Sequence, residues 1–269
     1  MIDTKSLKKH SIEIRKNILT MTSEAKSGHI AGPLGISDVF SYLYFYRFIE
    51  KETNSLLSIP LILSCAHYAP VLYATLIQKQ ILPSEAVHDL RKYGSILQGH
   101  TKRNTKYGIF NSGGSLGHGL GLACGMAISN RERNVYCIIS DGEINEGSIW
   151  EAAMFAYKYK LNNLIVILDR NGIQQSGTSN QQMPLLNIEE KWSAFGFEVE
   201  KANGNDFISI NNAFESLGKT NELPKIIISY SIPGFGYKAI ENNYKWHGKV
   251  LDNIQLEEAI NELNSQIYD

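Results

Sequence analysis

Four short runs of consecutive apolar residues govern what this chain can fold into. They are Leu61-Ile62-Leu63-Ser64, Val135-Tyr136-Cys137-Ile138-Ile139, Leu164-Ile165-Val166-Ile167-Leu168 and Lys225-Ile226-Ile227-Ile228-Ser229. A strand with one face in water alternates apolar and polar residues, whereas a strand covered on both faces reads as an unbroken run. Phe197-Glu198-Val199-Glu200 is a fifth strand candidate. Helical patterns fill the intervals at about 5–20, 36–50, 67–80, 83–92, 115–130, 146–160, 206–217 and 254–267. Strand and helix alternate, which predicts right-handed βαβ units and an α/β fold. The expected architecture is a doubly wound, mostly parallel sheet with helices on both faces. No repeat and no Pro- or Ser-rich linker divides the 269 residues. We therefore expect one domain over 1–269, with a C-terminal tail from about residue 231.

Composition narrows the function classes. Lys and Arg number 26 against 27 Asp and Glu, a net charge of −1. A broad nucleic-acid surface would need a basic excess, so none is expected; a local basic pocket for a small anion remains open. No run reaches the length of a membrane span, and the N-terminus lacks the apolar core of a signal peptide, so no membrane role and a cytoplasmic location are expected. Cys65, Cys124 and Cys137 are too few and too scattered for a disulfide framework and read as buried thiols.

Ligands of open α/β sheets bind beyond the carboxyl ends of the strands. The second run leads into Ser140-Asp141-Gly142-Glu143-Ile144-Asn145-Glu146-Gly147. The third leads into Asp169-Arg170-Asn171-Gly172, with Asn171 about thirty residues after Asp141, the length of one crossover unit. The two turns should lie side by side. A carboxylate and an amide oxygen so placed can hold Mg2+, which keeps positions for water and phosphate oxygens. The competing reading is plain turn chemistry, since Asp-Gly and Asn-Gly both favour tight turns.

Asn111-Ser112-Gly113-Gly114-Ser115-Leu116-Gly117-His118-Gly119-Leu120-Gly121 is a glycine-rich loop opening a helix, where bare amides and the helix dipole favour an anion. Cys124 stands where a dinucleotide fingerprint needs its third glycine, and no Gly-Lys-Ser/Thr is present, which excludes a P-loop. Gly121 and Gly125 also suit close helix packing. His29, His67, His100 and His247 lie in loop contexts beside glycines or a strand end, which suits imidazoles that transfer protons or contact hydroxyls and phosphates. No two of them have metal-helix spacing. His10 and His88 read as surface residues.

Together these residues resemble the N-terminal, diphosphate-binding half of transketolase, most of all the stand-alone N-terminal subunits of split transketolases. Ser27-Gly28-His29, the Gly-Ser-Leu-Gly-His-Gly loop, the Asp141 to Asn171 signature and Trp246-His247-Gly248-Lys249 carry the likeness over nearly the whole chain. The resemblance implies thiamine diphosphate and Mg2+ (or Ca2+ or Mn2+) as cofactors. It implies that Asp141, Asn171 and the carbonyl of Ile173 ligate the metal. It implies that Gly114, Ser115, Leu116, Gly142, His67 and His247 contact the cofactor. His29 and His100 would face substrate hydroxyls, with His29 and His247 assisting proton transfer. Glu146 and Glu151 match acidic residues of the family's dimer interface. Three residues depart from the usual pattern: Ser140 for glycine, Cys65-Ala66 before His67, and His118 for glutamine.

The middle domain that supplies the glutamate acting on the aminopyrimidine has no counterpart here. The resemblance therefore implies a separate partner chain carrying the pyrimidine-binding and C-terminal domains, in an α2β2 assembly. The implied reaction moves a two-carbon ketol unit from a ketose, usually phosphorylated, to an aldose. Alternatives are a 1-deoxyxylulose-5-phosphate synthase-like or 2-oxo acid dehydrogenase-like subunit, and a non-catalytic regulatory paralogue.

Overall fold

The computed structural model describes residues 2–51, 56–218 and 222–267. The apolar runs become β1 (Leu61–Leu63), β2 (Val135–Ser140) and β3 (Leu164–Arg170). A small antiparallel hairpin follows, β4 (Ile173–Gln174) and β5 (Gly177–Thr178), and then β6 (Glu198–Asn203) and β7 (Lys225–Tyr230). The main sheet has the order β1-β2-β3-β7-β6, and all its strands are parallel.

Successive side chains of a strand point to opposite faces, and both faces are covered. Tyr136, Ile138, Ile165, Ile167 and Ile227 enter a core shared with the helix Thr4–Glu24. Cys137, Ile139, Val166, Leu168, Ile226 and Ile228 enter a second core with the helices His118–Ser129 and Gly147–Lys158 and with Trp192. That double coverage explains why the runs do not alternate. Each fully buried Ile or Leu contributes about 1.5–3 kcal/mol of transfer free energy. All three cysteines are free and buried.

Several helical segments differ from expectation, among them the short helices Ala31–Gly35 and Ser179–Gln182, which fall outside every expected interval. The stretch 36–50 is Ser37–Tyr42, then a π-helical turn Leu43–Arg47, then Phe48–Glu50. The wider turn accompanies a ladder of rings, Tyr44 on Phe48 at 5.2 Å and Phe48 on Tyr136 at 4.9 Å. The stretch 83–92 contains only the 3-10 turn Ser84–Asp89, because Leu90 is extended and Arg91 is left-handed (φ +61°). The helix Ile188–Ala194 was not expected; it buries only Ile188 and Trp192, too few apolar positions to show a period. His10, read as a surface residue, is half-buried and stacked on Phe45 at 3.7 Å.

From Ser231 onward, where a tail was expected, the chain packs. The Gly234 amide donates to the Ala31 carbonyl at 2.8 Å, and Ser23 Oγ donates to the Leu251 carbonyl at 2.9 Å. The helix Asn253–Ser265 starts at an Asp252/Gln255 capping box and buries Ala259 and Leu263. Among the described residues, no helix is long and apolar enough to cross a membrane.

Candidate functional site

Register decides the first part of the site. Ser140 pairs with Asp169, and Asp169 with Ser229, so the turns after β2, β3 and β7 meet at one edge. Asp141 is fully buried. Its Oδ2 accepts from Arg170 Nη1 (2.6 Å), the Gly172 amide (2.7 Å) and Ser179 Oγ (3.1 Å). Its Oδ1 is buried with no partner. Burial raises the Asp141 pKa, and the Arg170 guanidinium opposes that rise. Asn171 is held from behind: its Nδ2 donates to Tyr68 Oη (2.8 Å) and Asp169 Oδ2 (2.7 Å), and its Oδ1 accepts from the Ile173 amide (3.0 Å). The acceptors on one side and the donor on the other fix which end of the amide is oxygen.

Asp169, fully buried, organises this support. Tyr68 Oη donates to its Oδ2 at 2.7 Å, and Ser231 Oγ donates to its Oδ1. Burial pushes the Asp169 pKa up to about 6 despite those donors. Tyr68 and Ser231 were not singled out from sequence, because they lie in turns after β1 and β7, far along the chain from Asp169.

The glycine-rich loop is anchored by a residue that sequence reasoning missed. Glu143 is fully buried, and burial pushes its pKa up to about 7. Gly117 takes a left-handed φ of +84°, and a Cβ at Gly119 would lie 2.4 Å from Ser64 Cβ. Gly117 is thus demanded by its left-handed backbone and by Ser148, whose Oγ a Cβ would meet at 2.2 Å, and Gly119 by its close approach to Ser64 just beyond β1. Gly121 and Gly125 have open space where a Cβ would stand, so close packing within the chain does not explain them. They border a surface groove with Leu122, Glu151 and Phe155.

The expected histidines converge. His29, His67, His100 and His247 line a cavity of about 470 Å3 with Gly114, Leu116, Gly142 and Ile173. Ring centroids separate His29 from His67 by 4.9 Å and from His247 by 5.4 Å. Burial, reinforced by neighbouring His247, Arg91 and His100, pushes the His29 pKa down to about 4. Burial also lowers His67 and His247. These imidazoles are therefore neutral at neutral pH. Gln174 and Gln175 also line the cavity, and no sequence signal marked them. Ser115 lies on the groove side of the loop.

Glu146 and Glu151 are both exposed in the single chain. The expected helix position of Glu146 is corrected: a 3-10 turn Glu143–Asn145 intervenes, and Glu146 is the N-cap of Gly147–Lys158, with φ −73° and ψ 130°.

The site suits a metal-bound diphosphate. Asp141 Oδ1, His67 Nε2 and His247 Nδ1 are buried polar atoms without partners, and Gly114 leaves open space where a side chain would stand. A carboxylate, an amide oxygen and a backbone carbonyl are the hard donors that Mg2+ prefers.

This fold and this edge define a thiamine-diphosphate-binding domain of the transketolase type. The family model "Transketolase, thiamine diphosphate binding domain" matches residues 8–266, and the chain belongs to that family. One relative is a subunit of the apulose-4-phosphate transketolase of Phocaeicola vulgatus, 36% identical over 99% of this chain and 96% of that one. Another is a subunit of the 6-deoxy-6-sulfo-D-fructose transketolase of a Clostridium species, 34% identical over 94% of each. Against the transketolase of Pongo abelii the chain is 33% identical over 97% of its own length but spans only 42% of that protein. The transketolase structure from Campylobacter jejuni superposes with a TM-score of 0.87 at 28% identity, covering 100% of this chain and 43% of that one.

Proposed function

We propose that this chain is the diphosphate-binding subunit of a two-chain transketolase-type enzyme that transfers a two-carbon ketol unit from a ketose to an aldose. The observation that carries this reading is a convergence of unpaired polarity. His29 Nδ1, His67 Nε2, His247 Nδ1, Glu143 Oε2 and Gln174 Nε2 are buried and unpartnered, and all five residues line one cavity, with Asp141 Oδ1 beside it. Each such atom costs about 1–3 kcal/mol unless a ligand satisfies it.

In this reading Asp141, Asn171 and the Ile173 carbonyl hold Mg2+, or Ca2+ or Mn2+. Gly114, Ser115, Leu116, Gly142, His67 and His247 receive the diphosphate. Thiamine diphosphate, when bound, supplies the carbon nucleophile and electron sink that let a ketol carbon–carbon bond break and re-form. The chain's own contribution is orientation and proton transfer. The neutral His29, His100 and His247 accept protons from substrate hydroxyls and return them. Several imidazoles suit a polyhydroxylated sugar better than a 2-oxo acid, which favours ketol transfer over the dehydrogenase-like and deoxyxylulose-synthase-like alternatives.

Relatives of this length that are named as transketolase subunits support a separate partner chain bearing the pyrimidine-binding and C-terminal domains. Self-association is proposed through the groove beside Glu146 and Glu151, where Leu122 is 50% and Phe155 38% exposed, giving α2β2. The deciding experiment reconstitutes this chain with its partner, thiamine diphosphate and Mg2+, and offers a ketose or pyruvate as donor. Ketol transfer from the ketose only by the two-chain assembly is expected. Turnover by this chain alone, or preference for pyruvate, overturns the reading.

A further inference from the structure

Tyr68 acts across the sheet rather than along the chain. It closes the 3-10 turn Ala66–Tyr68 after β1 and is buried. Its hydroxyl nevertheless bonds Asp169, in β3, and Asn171, just past the end of β3. β2 separates β1 from β3 in the sheet, so those strand ends lie about 10 Å apart. A hydroxyl carried on a long, rigid ring crosses that gap; the short side chain of a serine or threonine does not.

The ring is held on two sides. A Cβ added at Gly32 would lie 2.1 Å from Tyr68 Oη and 2.2 Å from its Cζ, so the phenol occupies the space that a side chain there would take. Gly32 belongs to the short helix Ala31–Gly35, which begins two residues after His29. The His67 ring meets the phenol edge to face, with centroids 4.8 Å apart and planes at 78°. Packed between the segment that follows His29 and the ring of His67, the hydroxyl has a fixed position.

Proton accounting shows what that position does. Tyr68 Oη, Asp169 Oδ2 and Asn171 Nδ2 form a closed triangle with sides of 2.7, 2.7 and 2.8 Å. The single hydroxyl proton goes to the carboxylate, so Tyr68 can only accept from Asn171, and both Nδ2 protons are then used. A flipped amide would set its oxygen against Asp169 Oδ2, oxygen against oxygen without a proton between them. The carboxylate alone would hold one Nδ2 proton; the hydroxyl takes the other and so fixes the plane of the amide. At the far end Asn171 Oδ1 accepts from the Ile173 amide at 3.0 Å with one of its two lone pairs. The second lone pair is left for a cation.

We propose that Tyr68 is a positioning residue for the cation: together with Asp169 it locks the Asn171 amide with its nitrogen inward, so that the oxygen is oriented before any metal arrives. That Asn171 ligates the metal rests on the functional reading above; the lock on its amide does not. Residues that orient a metal ligand govern affinity because an unlocked ligand must be ordered when the metal binds.

The test uses the full chain and Tyr68→Phe, which keeps the ring and its packing and removes only the hydroxyl. In the metal-free chain, NMR should show the two Asn171 side-chain amide protons distinct and slow to exchange in wild type, and faster to exchange in Tyr68→Phe. Calorimetry with thiamine diphosphate over a series of Mg2+ concentrations should show the Mg2+ midpoint raised about tenfold in Tyr68→Phe. At saturating Mg2+ the variant should bind thiamine diphosphate as wild type does. Ser231→Ala removes the other hydroxyl donor to Asp169 and is the control: it should lower thermal unfolding but move the Mg2+ midpoint less than Tyr68→Phe. An unchanged midpoint in Tyr68→Phe, or an equal shift in Ser231→Ala, would make Tyr68 a core residue only and overturn the proposal. Wild-type Asn171 protons that exchange as fast as those of an exposed amide would overturn it as well. Thiamine diphosphate binding by wild type that ignores Mg2+ would instead overturn the metal reading, while the amide signals still report the lock.

Discussion

Glu143 Oε1 accepts two hydrogen bonds, from Ser64 Oγ at 2.5 Å and from the Gly117 amide at 2.8 Å. Ser64 Oγ in turn accepts from the Gly119 amide at 3.0 Å. One buried carboxylate thus ties the end of β1, the turn after β2 and the glycine-rich loop into a single unit, and it sets the loop's position before any ligand arrives.

Glu143→Ala should strand the Ser64 hydroxyl and the Gly117 amide, costing about 1–3 kcal/mol. Thermal unfolding should shift down, and calorimetry should show weaker thiamine diphosphate binding. Glu143→Gln keeps one acceptor and should lose less of both. An alanine variant as stable and as tight-binding as wild type would remove the anchoring role.

The same carboxylate gives stability a pH dependence. Burial raises Glu143 to about 7 and Asp169 to about 6. Between the ordinary carboxylate range and those values, the folded chain keeps protons that the unfolded chain has released. Stability from these groups is therefore full in acid and declines as pH rises through that window. Denaturation from pH 4.5 to 7.5 should show wild type losing ground against Glu143→Gln as pH increases. The opposite trend would mean the carboxylate is held ionised.

His29 carries the reverse sign. Its pKa is lowered to about 4 chiefly by burial, so the folded chain binds its proton less readily than the unfolded chain. Its contribution is present above the ordinary histidine value and is lost as pH falls toward 4. A ring titration by NMR should give a midpoint near 4, rising part of the way back in Arg91→Gln. A midpoint at or above the ordinary value would show the ring to be solvated.

Asp141→Ala should abolish Mg2+-dependent thiamine diphosphate binding by this chain and leave Arg170 without its 2.6 Å partner. Calorimetry with and without Mg2+ reads the first effect and thermal unfolding the second. Wild-type affinity in this variant would show that the cation is held elsewhere.

Leu122→Glu should oppose self-association while leaving the fold intact, since Leu122 lines the groove with Phe155 and is 50% exposed. Sedimentation velocity should show a smaller species at equal concentration. An unchanged sedimentation coefficient would exclude this groove as the contact.

What the sequence determined by itself was whatever depends on local period and on one crossover. The unbroken runs at 135–139 and 164–168 specify strands buried on both faces, because only such strands need no polar face. The spacing from Asp141 to Asn171 places two turns at one edge, because a single βαβ unit can put them nowhere else. The loop histidines were visible because glycines or a strand end flank them. Their neutrality was not, because it follows from burial by segments distant in the chain.

Tertiary structure alone decided the supports and the charge field. Tyr68, Asp169 and Ser231 lie at or just beyond the ends of three different strands, and only the parallel register brings them together behind Asn171. Glu143 looked like one more turn residue until Ser64 and Gly117 closed on it. Arg91 and His29, whose pKa it helps to lower, stand far apart along the chain, and no local pattern links them. Hydrogen bonding and Coulomb attraction depend on separation in space, so their partners become legible only once the chain has folded.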